Sequence, residues 1–380
     1  MRGSADHSAQ QGSRVMRAAL FTHQDASVEI ADIELAAPRR NEVRVEIAAA
    51  GVCHSELHLV RGEWEVPAPL VPGHEGSGVI TEVGPGVTHL AVGDHVVLSW
   101  NPYCGECRAC LAGRETRCHQ VATVINATGS LLDGTSRLSR GGQRVNHYLG
   151  VSSWAEEVVV PATGAIKVRD DAPLDAIALV GCAAATGVGA VVNTAEVTAG
   201  STVAVIGCGG VGLNIVQGAR LQGAERIVAV DLSPERAALA KTFGATDAIG
   251  LDGANAVDAL RDLMPDGVDF AFDAIGHVTT TEAAIRALGL GGAAVVVGLP
   301  AAGATASFEP LALAEMDARI LGSNYGSIRP QFDIPKLVDL YMTGELLLDE
   351  LITARRPLDE AAQALSDLAG GAQLRQLLIP

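Results

Sequence analysis

Two textures divide this chain, and together they predict an α/β protein: a strand-rich, barrel-like domain followed by a doubly wound parallel sheet. Up to about Gly181 the residues form short alternating runs punctuated by Gly and Pro. Beyond Cys182, continuous apolar strands alternate with helical stretches. A length of 380 residues is also too great for one ordinary core and favours two or three domains.

In the first half, residues 43–47 alternate with period two, and 78–83 run into the turn signal Gly84-Pro85-Gly86. Residues 93–98 repeat the pattern. In the second half, 202–206 form a continuous apolar run suited to a buried parallel strand. The segment Gly207-Cys208-Gly209-Gly210-Val211-Gly212 follows, then a helical stretch to about Gln222. Residues 226–231 supply the next strand. Ser233-Pro234 starts a helix as a cap followed by Pro at its first position, and Gly244 ends it. Further strands are expected at 268–273 and 293–298, with helices between them. From about Gly326 the chain carries two amphipathic helices and a final strand at 374–379.

Composition narrows the function classes. Hydrophobic residues make up 48% and aromatics only 3%, so the cores rest on Ala, Val, Leu and Ile. The formal charge of -17 argues against nucleic acid or anionic lipid as partners, since both call for basic patches. No apolar run approaches about 18 residues, so no membrane span is expected. Residues 1–15 are expected to be an unstructured leader or added extension before a natural start at Met16; they lack the apolar core of a secretory signal. Cytoplasm is the default compartment.

Chemistry concentrates in three places. Cys104, Cys107, Cys110 and Cys118 are spaced to close a tetrahedron around one zinc ion, a better reading in such a chain than disulfides or free thiols. That site has no open position, so its role is structural. In the glycine segment, Gly207 permits a tight turn and Gly209 a close approach to a pyrophosphate. Gly212 permits helix–sheet packing. Asp231 ends the following strand, where it accepts hydrogen bonds from a ribose and repels a 2′-phosphate; NAD is therefore favoured over NADP. A second metal would need three ligands and a vacancy, and Cys53, His74 and Cys182 are the remaining candidates, with Glu75 beside them. Cys208 reads as a buried small residue.

Gly51-Val-Cys-His-Ser55, Gly73-His-Glu-Gly-Ser-Gly78, the four-cysteine loop, Asp133-Gly-Thr-Ser-Arg137, Gly181-Cys182 and the glycine loop occur in that order. In this order they resemble the zinc-dependent medium-chain alcohol dehydrogenases, from Met16 to Pro380. The loop through 133–137 is similar to the long-chain, class I/III-like branch, which implies a homodimer. The resemblance implies a GroES-like catalytic domain over 16–182 and 322–380, with a structural zinc loop at about 100–120. It places a Rossmann cofactor domain at 183–321.

The same resemblance assigns roles. Cys53, His74 and Cys182 would hold a catalytic zinc, with Glu75 behind it as an outer or transient ligand. Ser55 would receive the alcohol proton, and His58 would end a relay through the nicotinamide ribose. Glu56 stands where the family often has Asp, so its extra methylene alters its reach to any ligand it orients. His54, Thr186, Gly207, Gly209, Gly210, Val211, Gly212, Asp231, Arg236 and Arg375 would contact NAD. Trp64, Trp100, Tyr148, Leu149 and Leu299 would line an apolar channel for aryl, allylic or medium-chain primary alcohols.

Three relatives are weighed against this. Glutathione-dependent formaldehyde dehydrogenases typically carry an Asp and an Arg where Trp64 and Ala122 stand, and tend to have Tyr in place of His58. Polyol dehydrogenases use Glu as the third ligand, where this chain has Cys182. A non-catalytic NAD-binding structural or sensing protein would be expected to lose some of Cys53, Ser55, His74 and Cys182, and all are present. The implied activity is the interconversion of alcohols and aldehydes with two zinc ions and NAD.

Overall fold

Strands in the first part of the chain pair mostly antiparallel, with one short parallel pair between 70–71 and 146–147, and the continuous apolar strands of the second part pair in parallel. These relations are seen in a computed structural model that describes residues 13–24, 26–251, 253–371 and 374–380. By its contacts the chain divides into two units.

The first unit holds Arg117–Ala178, Ala354–Pro380 and the described residues up to Ala112. Its early strands are β1 (Arg14–Leu20), β2 (Glu29–Leu35), β3 (Glu42–Val52), β4 (Leu70–Val71), β5 (Gly76–Val83) and β6 (His95–Leu98). Then come β7 (Leu138–Arg140), β8 (Gln143–His147), β9 (Glu157–Pro161) and β10 (Ala165–Lys167). The second unit contributes β11 (Thr202–Ile206), β12 (Arg226–Asp231), β13 (Asp247–Gly250), β14 (Val268–Asp273), β15 (Leu288–Val296) and β16 (Arg319–Gly322). The chain closes with β17 (Ile352–Pro357) and β18 (Arg375–Ile379).

In the first unit one sheet runs β1-β2-β7-β8-β4 and the other β10-β6-β5-β3-β18-β17, with β9 also on β3. They share one core that includes Ile33, Val45, Leu70, Ile80 and the fully buried Trp154. Burying each such aliphatic side chain stabilises the fold by about 1.5–3 kcal/mol. Trp154 also ties strands together, because its Nε1 donates to Gly51 O at 3.0 Å. Residues 1–12 of the expected N-terminal extension lie outside the described residues. Arg14 and Val15 already belong to β1, paired with Leu35 and Glu34, so ordered structure begins before Met16.

The loop through Asp133 and Arg137 is locked by a buried ion pair. Arg137 Nε donates to Glu42 Oε2 at 2.7 Å, Nη2 bonds the other oxygen of Glu42, and Nη2 also reaches Asp133 at 2.6 Å. Against the pull of burial, hydrogen bonds from Thr135 and Arg137 hold the Asp133 carboxyl down to about 2. The backbone N–H of Arg137 donates to His147 Nε2 at 3.1 Å, which requires that nitrogen to be unprotonated. Burial, with Arg137 and Arg144 nearby, pushes the His147 pKa down to about 3.

The second unit is a six-stranded parallel sheet in the order β13-β12-β11-β14-β15-β16. Counted within the unit this is the 3-2-1-4-5-6 order of a dinucleotide-binding sheet. The four strands read from the sequence are its centre. The two edge strands β13 and β16 were not, because they are short and half-exposed and lack the continuous apolar signal. The sequence reading gave 322–380 to the first domain; in the structure 322–353 group with the second unit and 354–380 return to the first. Several contacts hold the segment there: Tyr325 donates to Gly181 O at 2.5 Å, Thr194 bonds Ser323 and Ser327 at 2.9 Å each, and Gln217 donates to Leu347 O at 3.0 Å and accepts from Leu347 N at 2.7 Å. No single helix among the described residues is long and apolar enough to cross a membrane.

Replacing Arg137 with Met strands the buried Glu42 carboxylate, and chemical denaturation should show a loss of about 3–5 kcal/mol. A loss near zero would mean that the pair does not hold the loop. His147 gives a pH dependence. Its pKa of about 3 in the fold lies below the unfolded value of about 6.5, so the unfolded chain binds the extra proton in between. Stability should be complete above about pH 6.5 and fall as the pH drops toward 3, a decline that His147→Gln should flatten in thermal melts.

Candidate functional site

Cys53, in extended conformation with φ -121 and ψ 161, precedes the helix His54–Val60. Glu56 lies in the first turn of that helix and is fully buried. Its Oε2 accepts from the Cys53 N–H at 3.0 Å and its Oε1 meets His74 Nδ1 at 2.5 Å. The extra methylene over Asp therefore does not cost the contact; it lets one carboxylate hold both residues. With Nδ1 bonded to a carboxylate, Nε2 is the ring nitrogen left for a metal. The Tyr148 ring meets His74 edge-on at 5.9 Å, and its hydroxyl donates to Ser55 O at 3.0 Å.

Glu75 follows His74 and is also fully buried. Its Oε1 lies 3.3 Å from Arg375 Nη2, and Arg375 Nη1 donates to Val52 O at 3.3 Å. Only glycine at position 51 leaves room for this carboxylate, since a Cβ there would sit 1.9 Å from Glu75 Oε2. The turn Ala178–Gly181 leads directly into Cys182, whose carbonyl accepts from Thr186 N at 2.8 Å. Thr186 Oγ1 lies 3.9 Å from the Cys182 sulfur. One ligand atom from each of Cys53, His74, Glu75 and Cys182 lies within 4.8 Å of the others.

The electrostatics call for a cation. Burial raises the Glu56 pKa, with Cys53 adding to the rise against the pull of His74. Burial pushes Glu75 up to about 7, countered by Arg375 and reinforced by Cys53 and Glu56. Burial disfavours the charged form of His74, yet the Glu56 carboxylate and the Cys53 thiol raise it well above its ordinary value. Buried acids that raise one another are relieved by a divalent ion among them, and a donor set of nitrogen, sulfur and oxygen suits zinc.

The second cluster is made of thiols alone. Cys104 Sγ lies 3.9 Å and Cys107 Sγ 3.5 Å from Cys110 Sγ, and all four ligand atoms fall within 4.8 Å. A tetrahedron with Zn–S bonds of about 2.3 Å has edges of about 3.8 Å. The cysteines are unbridged. Backbone N–H groups of Cys104 and Cys107 point at the sulfurs of Cys118 and Cys104 at 3.4 Å each. Hydrogen bonds from Cys110 and His119 backbone lower the Cys107 thiol to about 6, while burial and neighbouring thiols raise Cys110. The loop has only the small cluster of Cys118, Val121 and Ile125 beneath it, so a metal would supply what its core lacks.

In the second unit the glycine loop follows β11 and opens the helix Gly210–Leu221. A Cβ on Gly212 would fall 1.7 Å from Gly207 O, whereas one on Gly209 would meet nothing within 4 Å. That open space lies at the start of the helix, with Gly210 and Val211 in its first turn. Asp231 Oδ2 accepts from Cys208 N at 2.8 Å and Oδ1 from Ser233 N at 2.9 Å. Each oxygen keeps a second lone pair for a ribose hydroxyl. The buried Cys208 thiol is pushed up to about 12 by burial and by Asp231, as suits a packed residue.

The other expected residues divide. Trp64 stacks on His58 with ring centroids 4.5 Å apart, and His58 Nδ1 pairs with Glu63. Trp100 and Leu149 are half-buried against the first core. Leu299 is half-exposed in the second unit, His54 is exposed at the start of its helix, and Arg236 is half-buried. Arg375 is neither solvated nor on the surface; it is buried against Glu75. Sequence reading missed the Glu63 and Arg375 pairings. For Glu63 the only signal was its place five residues beyond His58.

Residues 39–170 match the alcohol dehydrogenase GroES-like domain, and residues 210–343 match the zinc-binding dehydrogenase family. The alcohol dehydrogenase class-3 of Drosophila melanogaster is 39% identical over 369 residues, covering 95% of this chain and 97% of that protein. A probable S-(hydroxymethyl)glutathione dehydrogenase 1 of Schizosaccharomyces pombe is 38% identical over 353 residues, 92% of each. The crystal structure of benzyl alcohol dehydrogenase from Acinetobacter calcoaceticus superposes with a TM-score of 0.91 at 35% identity, covering 96% of this chain and 99% of that one.

Two glycine substitutions separate folding from binding. Gly212→Ala should lower thermal stability and NADH affinity together, because its Cβ collides with the Gly207 carbonyl. Gly209→Ala should leave the melting temperature unchanged while weakening NADH in a fluorescence titration by at least about tenfold, roughly 1.4 kcal/mol. Unaltered NADH affinity in Gly209→Ala would mean that the loop is not the pyrophosphate cradle.

Proposed function

The chain belongs to the zinc-dependent medium-chain alcohol dehydrogenases, and on that premise we propose that it interconverts primary alcohols and aldehydes with NAD. Aryl, allylic or medium-chain alcohols are the substrates of choice. The observation that carries the reading is the convergence of Cys53, His74, Glu75 and Cys182, with His74 aimed by Glu56. Cys53, His74 and Cys182 would hold the catalytic zinc, and Cys104, Cys107, Cys110 and Cys118 the structural one. Arg375 draws on one oxygen of Glu75, which supports an outer or transient role for that carboxylate. Zinc, when bound, supplies a Lewis acid that acidifies the alcohol hydroxyl, and NAD supplies the hydride acceptor.

The chain's own groups do the rest. Ser55, with Oγ 3.8 Å from the Cys53 sulfur, takes the alcohol proton and passes it toward His58. Tyr148 steadies Ser55 by bonding its carbonyl. Asp231 favours NAD over NADP by repelling a 2′-phosphate. The likeness to benzyl alcohol dehydrogenase supports an apolar substrate, with Trp64, Trp100 and Leu149 as the lining residues of the first unit that are not fully buried. A cytoplasmic homodimer belongs to the same proposal.

The likeness to the S. pombe enzyme favours a second reading, oxidation of S-(hydroxymethyl)glutathione. Trp64 and Ala122 oppose it, because neither supplies the charge that a thiol adduct's carboxylates and amine require.

Elemental analysis should find two zinc ions per chain, and His74→Ala should lose one while keeping NADH affinity. Glu56→Ala should cost about 10–100-fold in zinc affinity or activity. Rates followed at 340 nm should rank benzyl alcohol above ethanol and sorbitol. A clear preference for S-(hydroxymethyl)glutathione would install the second reading, and one for sorbitol would overturn both.

A further inference from the structure

The segment immediately after the helix His54–Val60 contains an acid and an aromatic that both act on His58. Glu63 Oε2 pairs with His58 Nδ1, and the Trp64 ring lies parallel to the imidazole at 4.5 Å with an interplanar angle of 22°. The Glu63 N–H donates to His58 O at 3.0 Å, so backbone and side chain fasten the same residue. His58 and Glu63 side chains are 22% and 31% exposed, leaving the imidazole in contact with water.

We propose that Glu63 is a positioning residue for proton transfer: it fixes His58 as the Nδ1–H tautomer and makes Nε2 the single proton acceptor, with Trp64 holding the ring plane. The proposal rests on the reading of His58 as the end of the relay. A carboxylate can bond only to a protonated ring nitrogen, so in neutral His58 the proton resides on Nδ1 and the lone pair on Nε2. When a proton arrives at Nε2 an imidazolium forms, the Nδ1–H stays on Glu63, and the carboxylate offsets the new charge. The proton then leaves Nε2 for bulk water, and the neutral tautomer is restored. Without Glu63 the ring would exchange tautomers and rotate, and half of its orientations would present an N–H where an acceptor is needed.

Other charges bear on the pair. Arg61 Nη1 lies 4.0 Å from the second oxygen of Glu63 and tempers its field. His54 sits one turn earlier on the same helix and is exposed. The helix Ala361–Ala369 packs against this helix and carries Asp367, whose carboxylate is held by Arg356. The flanking Glu65 is exposed.

Glu63→Gln keeps an acceptor oxygen for Nδ1–H but removes the charge, whereas Glu63→Ala removes both. Histidine ¹⁵N spectra of the whole protein should show His58 as the Nδ1–H tautomer, a preference that Glu63→Gln keeps and Glu63→Ala loses. kcat for alcohol oxidation should be largely kept by Glu63→Gln, which retains an acceptor for Nδ1–H. KM for NAD should stay within about twofold, and Glu63→Ala should lower kcat by about tenfold out of the 10²–10⁴ that a positioned base contributes. An Nε2–H tautomer, or an undiminished rate in Glu63→Ala, overturns the proposal. His58→Gln distinguishes the levels: if it leaves kcat for alcohol oxidation unchanged, the relay reading fails, while the ¹⁵N result still decides whether Glu63 controls the ring.

Discussion

One carboxylate organises the centre of the first unit. Glu56 accepts from the backbone of Cys53 with one oxygen and from His74 with the other, so two segments far apart in sequence are held by a single buried side chain. A buried charge of this kind is costly unless every lone pair finds a donor. Here the cost is offset by two hydrogen bonds, one of them with the histidine, whose ring is thereby turned to present its other nitrogen.

The surroundings then follow from the need to keep more negative charge in the same small volume. Glu75 is tolerated because Gly51 gives it room and Arg375 faces it from β18. Trp154 and Ser153 fix the backbone on either side, through bonds to the Gly51 and Glu75 carbonyls. The strands serve as a rigid frame for acids that would otherwise repel, a state that invites a cation.

The second unit solves a different problem with backbone. Its parallel sheet delivers the end of β11 and the start of a helix to one point, where Gly212 lets the helix close against the Gly207 carbonyl. Asp231, at the end of the neighbouring β12, pins the loop through Cys208 N and still retains acceptor capacity. The loop thus rests on a close backbone approach and one acid.

Much of this was legible in the residues, and the reason is locality. The four-cysteine loop and the Gly207–Gly212 turn are short segments whose spacing alone dictates geometry, and the central strands announce themselves by unbroken apolar runs. The edge strands β13 and β16 carry no such signal, since a half-exposed strand is defined by its partner. Likewise 322–353 joins the second unit through contacts such as those of Tyr325 with Gly181 and Leu347 with Gln217, which no periodicity records. The reach of Glu56 to His74, the pairing of Arg375 with Glu75 and the clamp of Glu63 and Trp64 on His58 were decided only by tertiary structure. Each depends on where a flexible side chain of several rotatable bonds ends up, and only the folded packing around it selects that position.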